Sequence, residues 1–401
     1  MGRMSLFLVM GFNVLFGLMG FNLSRVSISA VENHVEYYSS TQAHNIAASA
    51  ANIACNRIFL DPTWRVGYTS VPLAGGEFDV RVQDLPGHYV RLNVTAEYGD
   101  QDAAISVLFG PSSFAKFAYY SVVEGGIYWI TGDTVWGPWH SQSKITVHGD
   151  PVFYGKATTR IGLFKNPNTS DPKFYGGYEA GVSVELPSDM SELIAAAQSG
   201  GKYYSDTDLW LTFNSNGTVT YKTTSAGPET TVTIAAFAPN GVILANKGNL
   251  HIKGTVDGRV TVAATGSSGL GYGNVILDDD IVYAADPSSG SCDDMLGICS
   301  ENNVIIANNA ANNSNISVHA SIFSRTGGFT AEDYNTRPVS GTIHLVGGIQ
   351  QYQRGPVGQF LSGSVIIHGF QKNYRYDERL MYEEPPFYPR TRNLEILSWY
   401  E

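Results

Sequence analysis

The feature that most constrains this chain is an uncharged, largely apolar stretch near its N-terminus, residues 5–23 (SLFLVMGFNVLFGLMGFNL). A helix needs about 20 mainly apolar residues to cross the hydrocarbon core of a bilayer, and this stretch meets that requirement. Arg3 precedes it and Arg25 is the next charged residue, so the early positive charge favours a cytoplasmic N-terminus. The stretch therefore predicts a membrane-spanning segment, with the rest of the chain outside the cytoplasm.

A cleaved secretory signal peptide is the alternative interpretation of the same residues. Its apolar region would be long for a signal peptide. The best cleavage candidate, Ile28-Ser29-Ala30, also has a branched residue where a small one is preferred. We therefore favour a retained anchor, and a mature protein without residues 5–23 would decide for the alternative.

Residues 24–60 predict that the helix continues, because they contain no Pro or Gly. Small and apolar residues recur there at three- and four-residue spacing, which is typical of one helix face. Asp61-Pro62 ends the pattern, since Pro cannot continue a helix. Residues 1–61 thus predict one helix of about 55 residues, roughly 80 Å long. Its first half is apolar and its second half is amphipathic. Its predicted assembly face consists of Val31, Val35, Ala43, Ala47, Ala50, Ala51 and Ala54.

After Pro62 the apolar residues alternate with polar ones, a period-two pattern that indicates strands. GGEFDVRVQD and HYVRLNVTAEYG predict a hairpin, and AAISVLFGPSS adds a third strand. We expect residues 62–111 to form a small antiparallel sheet packed on the amphipathic part of the helix, because such a sheet needs one face covered.

From residue 112 onwards short β-branched segments ending in Gly or Asn follow one another, for example KITVHGDPVFYGKATT and NLHIKGTVDGRVTVAA. This cadence predicts stacked β coils, a β-solenoid or β-helix-like domain over residues 112–370, with a β-sandwich as the competing fold. SDMSELIAAAQSG predicts a helical insertion at 188–200 with Ser188 as N-cap. Residues 371–401 are expected to cap the last coil. The fold class is mainly β with a long N-terminal α-helix.

Net charge is −11 and no Lys/Arg block occurs, which argues against nucleic-acid binding but leaves sugars and metal ions open as ligands. Asp278, Asp279 and Asp280 are weak Ca²⁺ candidates, and we favour the alternative that they are solvated acids of a turn. Cys292 and Cys299 are close enough in sequence to form a disulfide, or else remain two free thiols. We expect no cofactor and no catalytic residue, since nucleophile, zinc and phosphate-loop motifs are all missing from the sequence.

Two further candidates concern polysaccharide. His140 directly follows the two Trp residues of WGPWHSQS, a loop that suits sugar stacking or ordinary core packing. Asp278 and Asp280, with Lys253 or Arg259 one coil away, offer the carboxylate pair of a glycosidase or lyase. Nothing in the sequence selects these residues over those of any other coil.

The N-terminal helix, with its QAHNIAASAANIA segment, resembles the assembly helix of type IV pilins of the minor-pilin group over residues 1–60. The resemblance implies a non-enzymatic, filament-forming subunit. The pilin processing site has Gly-Phe with Glu at the fifth mature position. Here Gly11-Phe12 and Gly20-Phe21 are followed by Phe16 and Arg25 at that position, so the chain departs from the pattern.

The remainder resembles an uncharacterised family of bacterial envelope proteins that pairs an anchor helix with a β-rich body; the resemblance is carried by segments such as GNVILDDDIVYAADP and KNYRYDERLMYEEPPFYP. Together the resemblances imply a pilin-like or pilus-associated protein of the bacterial envelope. It would be single-pass in the inner membrane or part of a surface filament, and would self-assemble and display its β domain for adhesion. The alternative is a membrane-tethered β-helix enzyme or binding module acting on polysaccharide.

Overall fold

The computed structural model describes residues 2–86, 88–361 and 365–401, and it is mainly β with one long N-terminal helix. The chain forms two compact units. Unit 1 comprises Met1–Pro111 and Asn393–Glu401, and unit 2 comprises Ser112–Arg392.

Unit 1 combines helix α1 with a five-stranded sheet. The chain's first four strands pair antiparallel with their neighbours in sequence order, and the chain's last strand, Arg390–Tyr400, lies beside the fourth. The elements are α1 (Gly2–Leu60), β1 (Tyr68–Leu73), β2 (Gly76–Leu85), β3 (Tyr89–Tyr98) and β4 (Gln101–Ser113).

The C-terminal segment corrects the sequence prediction of a cap over residues 371–401. Residues 393–401 belong to unit 1, where they extend its sheet. Leu394 and Trp399 pack against the core between that sheet and α1. The apolar-polar alternation of NLEILSWYE is that of a strand with one covered face, and an unpaired edge on β4 accepts it.

Unit 2 begins with ten short strands. They are β5 (Tyr119–Val123), β6 (Trp129–Ile130), β7 (Thr134–Val135), β8 (Trp139–Ser141), β9 (Lys144–His148), β10 (Val152–Phe153), β11 (Ala157–Thr159), β12 (Gly162–Lys165), β13 (Lys173–Phe174) and β14 (Tyr178–Ala180).

Two helices and further strands follow in unit 2. They are α2 (Ser191–Gly200), β15 (Lys202–Ser205), β16 (Leu209–Asn214), β17 (Thr218–Lys222), β18 (Thr230–Thr233), α3 (Ile234–Phe237), β19 (Val242–Asn246), β20 (Leu250–Val256), β21 (Arg259–Thr265), β22 (Val275–Tyr283), β23 (Met295–Ser300), β24 (Val304–Ile306), β25 (Ile316–Ser324), β26 (Phe329–Ala331), β27 (Val339–Gln353), β28 (Gly358–Leu361) and β29 (Val365–Arg375). The chain's last strand is β30 (Arg390–Tyr400).

A continuous parallel ladder, here named the central ladder, organises unit 2. Its spatial order is β14-β11-β8-β5-β27-β25-β23-β21-β19-β15, and every pairing in it is parallel. The first strand of this ladder along the chain, β5, therefore lies in its middle, and β8, β11 and β14 follow it towards one edge. The next strand, β15, forms the opposite edge. Strands β19, β21, β23, β25 and β27 then fill the ladder from that edge inwards, and β27 pairs with β5.

The return from β14 to β15 runs as a strap across the outer face of the central ladder. Val182 donates its backbone N–H to Thr159, and Val184 accepts hydrogen bonds from Tyr120 and Gln142. The strap ends in α2, whose buried face packs against β19 and β15. Helix α2 begins at Ser191 behind Met190, so the predicted N-cap Ser188 is wrong. The Asp189 carboxylate accepts the Ser191 N–H instead.

A buried polar network closes the seam where β27 meets β5. Glu124 accepts hydrogen bonds from Tyr119 (2.9 Å), Ser121, Trp129 (3.1 Å) and Arg354 (3.0 Å). The Glu124 and Arg354 side chains are only 1% and 5% exposed. A buried ion pair adds little net stability, because desolvation offsets the attraction, and in some proteins such polar groups fix the register of pairing. We infer that this pair fixes the register between the first and last passes of the chain.

A second parallel ladder, β16-β20-β22-β24-β26, forms another wall of unit 2. Strands β17 and β18 extend it at the β16 edge by antiparallel pairing. Inward side chains of both ladders join one apolar core that includes Leu211, Ile252 and Leu277. The alternate residues of β16, β20 and β22 face outwards.

Candidate membrane and assembly helix

The first part of α1 is exposed along its whole circumference. Every residue from 4 to 38 is exposed, including large apolar side chains such as Leu6, Phe7 and Leu15 at 63%, 72% and 54%. An 18-residue window of this helix has a mean hydropathy of 1.9 and no buried residue. Full burial of one Leu or Phe side chain contributes about 1.5–3 kcal/mol, so this surface requires lipid or protein around it.

The second part of α1 is covered by the sheet of its own unit. The buried positions follow three- and four-residue spacing, so they form one stripe that faces β2 and β3. Small side chains along the stripe let the sheet approach closely. The stripe consists of Ala43, Ile46, Ala47, Ala50, Ala51, Ala54, Cys55 and Ile58, all at most 9% exposed.

This division corrects the predicted assembly face of seven residues. Ala43, Ala47, Ala50, Ala51 and Ala54 are 0% exposed and already used within unit 1, so they do not form a contact surface for another subunit. Val31 and Val35 are 64% and 56% exposed and remain available. The sequence pattern could not separate the two groups because both continue one periodicity.

The helix ends where the sequence predicts. The N–H of Asp61 donates to Arg57 at 2.9 Å, and Pro62 cannot extend the ladder. The Asp61 carboxylate accepts hydrogen bonds from the hydroxyl and N–H of Thr63, which lowers the pKa of Asp61. These bonds turn the chain towards Trp64, whose ring packs into the helix–sheet core.

Three glycines of the exposed part have open space beside them. A Cβ added at Gly11, Gly17 or Gly20 would meet no atom within 4 Å apart from the adjacent backbone of the same helix. A glycine inside a helix costs about 1 kcal/mol relative to Ala, so these positions weaken the isolated helix. Asn13, Gly17 and Gly20 recur at i, i+4 and i+7 and so share one face.

The three cysteines are free in the structure, so of the two possibilities for Cys292 and Cys299 it has the two free thiols. Cys299 is fully buried among side chains on the outer side of β23, in the cluster that includes Tyr388. Cys292 lies in the preceding loop and packs on the other core cluster, with its Sγ near Ala285. The wall formed by β23 thus separates the two thiols. Burial raises the pKa of both.

His140 is core packing in this structure. Its ring is 0% exposed and lies between Tyr120 and Phe117, with Nδ1 2.7 Å from the Thr158 hydroxyl. Burial lowers the pKa of His140 to about 4. A saccharide would have no access to this imidazole.

The carboxylates at 278–280 do not converge. Asp278 contacts His251 at 3.0 Å, Asp279 accepts the N–H of Asp280, and Asp280 accepts the N–H of Ser317. Among the described residues no group of three His, Cys, Asp or Glu side chains is placed to hold a metal ion. Arg259 instead pairs with Glu383, away from Asp278.

Asp278 does belong to a mixed cluster on the outer face of the second ladder, with Trp210, His251 and Lys253. Sequence reasoning named Asp278 and Lys253 but missed the two rings. Trp210 and His251 are about 40 positions apart in sequence but adjacent in the structure, because β16 and β20 pair in a register that places Trp210 opposite His251. The one signal in the sequence for these two rings is that Trp210 in LWLTFN and His251 in LHIKG occupy the outward positions of alternating strands.

Comparisons with known proteins give little further. No model of a known protein family matches the chain, and no curated protein matches it. Among solved structures it is similar to the crystal structure of the competence-associated pilin ComZ from Thermus thermophilus. That similarity has 11% identity and a TM-score of 0.39, covering 90% of this chain and 97% of that chain. A likeness at this level supports no conclusion about function.

Proposed function

We propose that this protein is a non-enzymatic, pilin-like subunit of the bacterial envelope. Its apolar helix anchors it in the inner membrane before assembly and packs against the same helix of neighbouring subunits afterwards. Its β units lie outside the cytoplasm. The observation that supports this most is that residues 4–38 are exposed throughout, while one face of residues 43–58 of the same helix is covered.

The length of the exposed part of α1, residues 4–38, argues that proteins as well as lipid surround it. Thirty-five helical residues at 1.5 Å each extend about 52 Å, whereas the hydrocarbon core of a bilayer is about 30 Å thick. Apolar side chains such as Val31, Val35 and Tyr37 therefore lie beyond the core while still more than half exposed. Packing of α1 against copies of itself would cover both these side chains and the face that contains Asn13, Gly17 and Gly20.

For the display domain we propose a β-solenoid whose coils are the passes that stack in the central and second ladders. Parallel pairing of strands from successive passes supports this, since a β-sandwich pairs its strands antiparallel. A solenoid offers broad, rigid faces outside the membrane, suited to subunit contacts or adhesion.

Imaging of filaments sheared from cells, with mass-spectrometric identification of this chain in them, tests the assembly proposal. We expect the chain in the filament fraction, and we expect Val31→Arg with Val35→Arg to remove it from filaments while leaving it in the inner membrane. Complete retention of the unaltered chain in the inner membrane, with none in filaments, would defeat self-assembly and leave a single-pass anchored protein.

A further inference from the structure

A small cavity lies on the outer face of the second ladder, where the β17–β18 extension meets β16, β20 and β22. Its volume is about 140 Å³, and its lining includes Trp210, His251, Lys253 and Asp278. Binding sites for drug-sized ligands are several times larger, about 300–1,000 Å³, so this cavity accommodates one ring of a longer ligand.

Two aromatic rings form one wall of the cavity. The indole of Trp210 and the imidazole of His251 stack with centroids 4.8 Å apart and an angle of 15° between their planes. The His251 Nδ1 lies 3.0 Å from the Asp278 carboxylate, which fixes the orientation of the imidazole. Both side chains of that pair are about a quarter exposed, at 24% and 28%, so they remain accessible.

The opposite wall comes from the β17–β18 extension. Lys222 and Glu229 form an ion pair at 3.2 Å across the hairpin, and Thr220 bonds Thr231 at 2.8 Å. Thr212 also lines the cavity. Threonine and carboxylate side chains beside an aromatic wall suit a ligand that is rich in hydroxyl groups.

Among the charged groups that line the cavity, Lys253 stands without an ion-pair partner. Lys222 forms an ion pair with Glu229 and the Asp278 carboxylate contacts His251, whereas Lys253 is exposed and has no ion pair within 4 Å among the described residues. An ammonium without a carboxylate partner can form a charge-assisted hydrogen bond with an anionic group of the ligand. Aromatic rings supply the apolar contact that the C–H face of a sugar ring requires.

We propose that this cavity binds a uronic-acid residue of an acidic polysaccharide, with its carboxylate at Lys253 and its ring against Trp210 and His251. Asp278 orients His251 and accepts hydroxyl groups. This inference stands apart from the assembly proposal, because it concerns only unit 2 and holds whether or not the chain polymerises.

The test is isothermal titration calorimetry on the full chain, in a detergent without a sugar headgroup, because a maltoside would compete. Probes are tetrasaccharides of galacturonate, mannuronate and hyaluronan, with cellotetraose as the neutral comparison. We expect at least one acidic tetrasaccharide to bind at least tenfold more tightly than cellotetraose, with Lys253→Gln and Trp210→Ala each weakening it at least tenfold.

Matched controls are Lys247→Gln and Trp136→Ala, which alter an exposed Lys and an exposed Trp outside the cavity. We expect both to bind as the unaltered chain does. Failure of all three acidic probes to bind at 10 mM overturns the proposal. Equal losses in the control variants, or equal affinity for cellotetraose, overturn the assignment of the uronate to Lys253.

Discussion

Residues 4–38 and residues 43–58 belong to one uninterrupted helix, yet their surroundings are opposite. In the second part the apolar positions are gathered into one stripe, and the sheet of the same unit covers it. In the first part no side chain is covered, and over residues 5–23 apolar side chains occur on all sides of the helix. A helix that is apolar all round is suited to burial in lipid or among other helices. The difference teaches that folding of unit 1 uses the second part of the helix and leaves the first part uncovered.

The largest effect should follow from charging the exposed part. Leu15→Arg with Phe16→Arg places two guanidinium groups near the middle of the apolar stretch, at a cost of about 2.5–3.5 kcal/mol each. We expect membrane retention to fall by about 10⁴-fold, since each 1.4 kcal/mol is tenfold. Fractionation of cells with quantitative immunoblotting measures it. Val31→Arg with Val35→Arg is the control that should stay in the membrane, and equal loss in both variants would contradict the assigned span.

The next effect concerns the covered part and the reactivity of Cys55. Burial raises its pKa from 9.0 to about 11, which lowers the thiolate fraction about 100-fold at a given pH. We expect iodoacetamide at pH 8 to modify Cys55 about 100-fold more slowly than a thiol introduced by Val35→Cys in detergent. Peptide-resolved mass spectrometry over time measures both. Rates within threefold of each other would show that the stripe is not held against the sheet.

Overpacking of the stripe should give a smaller effect. Ala50→Leu forces three further carbons into a position that is 0% exposed, which typically costs about 1–3 kcal/mol. We expect faster amide hydrogen exchange in β2 and β3, with unit 2 unchanged as an internal reference. Ser49→Leu, on the exposed side, should leave exchange unaltered. Equal acceleration in the two variants would remove the distinction between covered and open faces.

Features that depend on residues close in sequence could be predicted, whereas features that depend on residues far apart in sequence could not. The long N-terminal helix, its end at Pro62 and the antiparallel order of β2, β3 and β4 depend on neighbours in sequence, and they are visible in hydropathy and period. The position of β30 beside β4 and the meeting of β27 with β5 depend on pairings more than 200 residues apart, which periodicity does not encode. Short strands with Gly corners indicate stacking, but nothing local fixes the order in which the passes stack.

The candidate sites show the same limit. Val31 and Ala47 continue one periodic stripe, and only the tertiary structure shows that one is open and the other covered. Trp210 and Asp278 come together through the register of β16, β20 and β22, so sequence inspection found the carboxylate without its aromatic partner. The sequence left open whether Cys292 and Cys299 pair for a related reason, because closeness in sequence does not say on which side of a strand a side chain lies.

The smallest effect should distinguish neighbouring helices from lipid around the exposed part. Gly17→Leu improves helix propensity by about 0.8 kcal/mol, so α1 itself should be more stable. A small residue in a membrane helix lets another helix approach closely, and the leucine would remove that contact. We expect less disulfide cross-linking between chains that carry both Gly17→Leu and Val31→Cys than between chains that carry Val31→Cys alone, at unchanged membrane retention. Gly11→Leu, six residues or about 240° away round the helix, should cross-link normally. Intact-mass measurement would confirm that all variants share one N-terminus. Equal cross-linking of the two glycine variants would contradict helix packing at Gly17 and show that lipid covers this face.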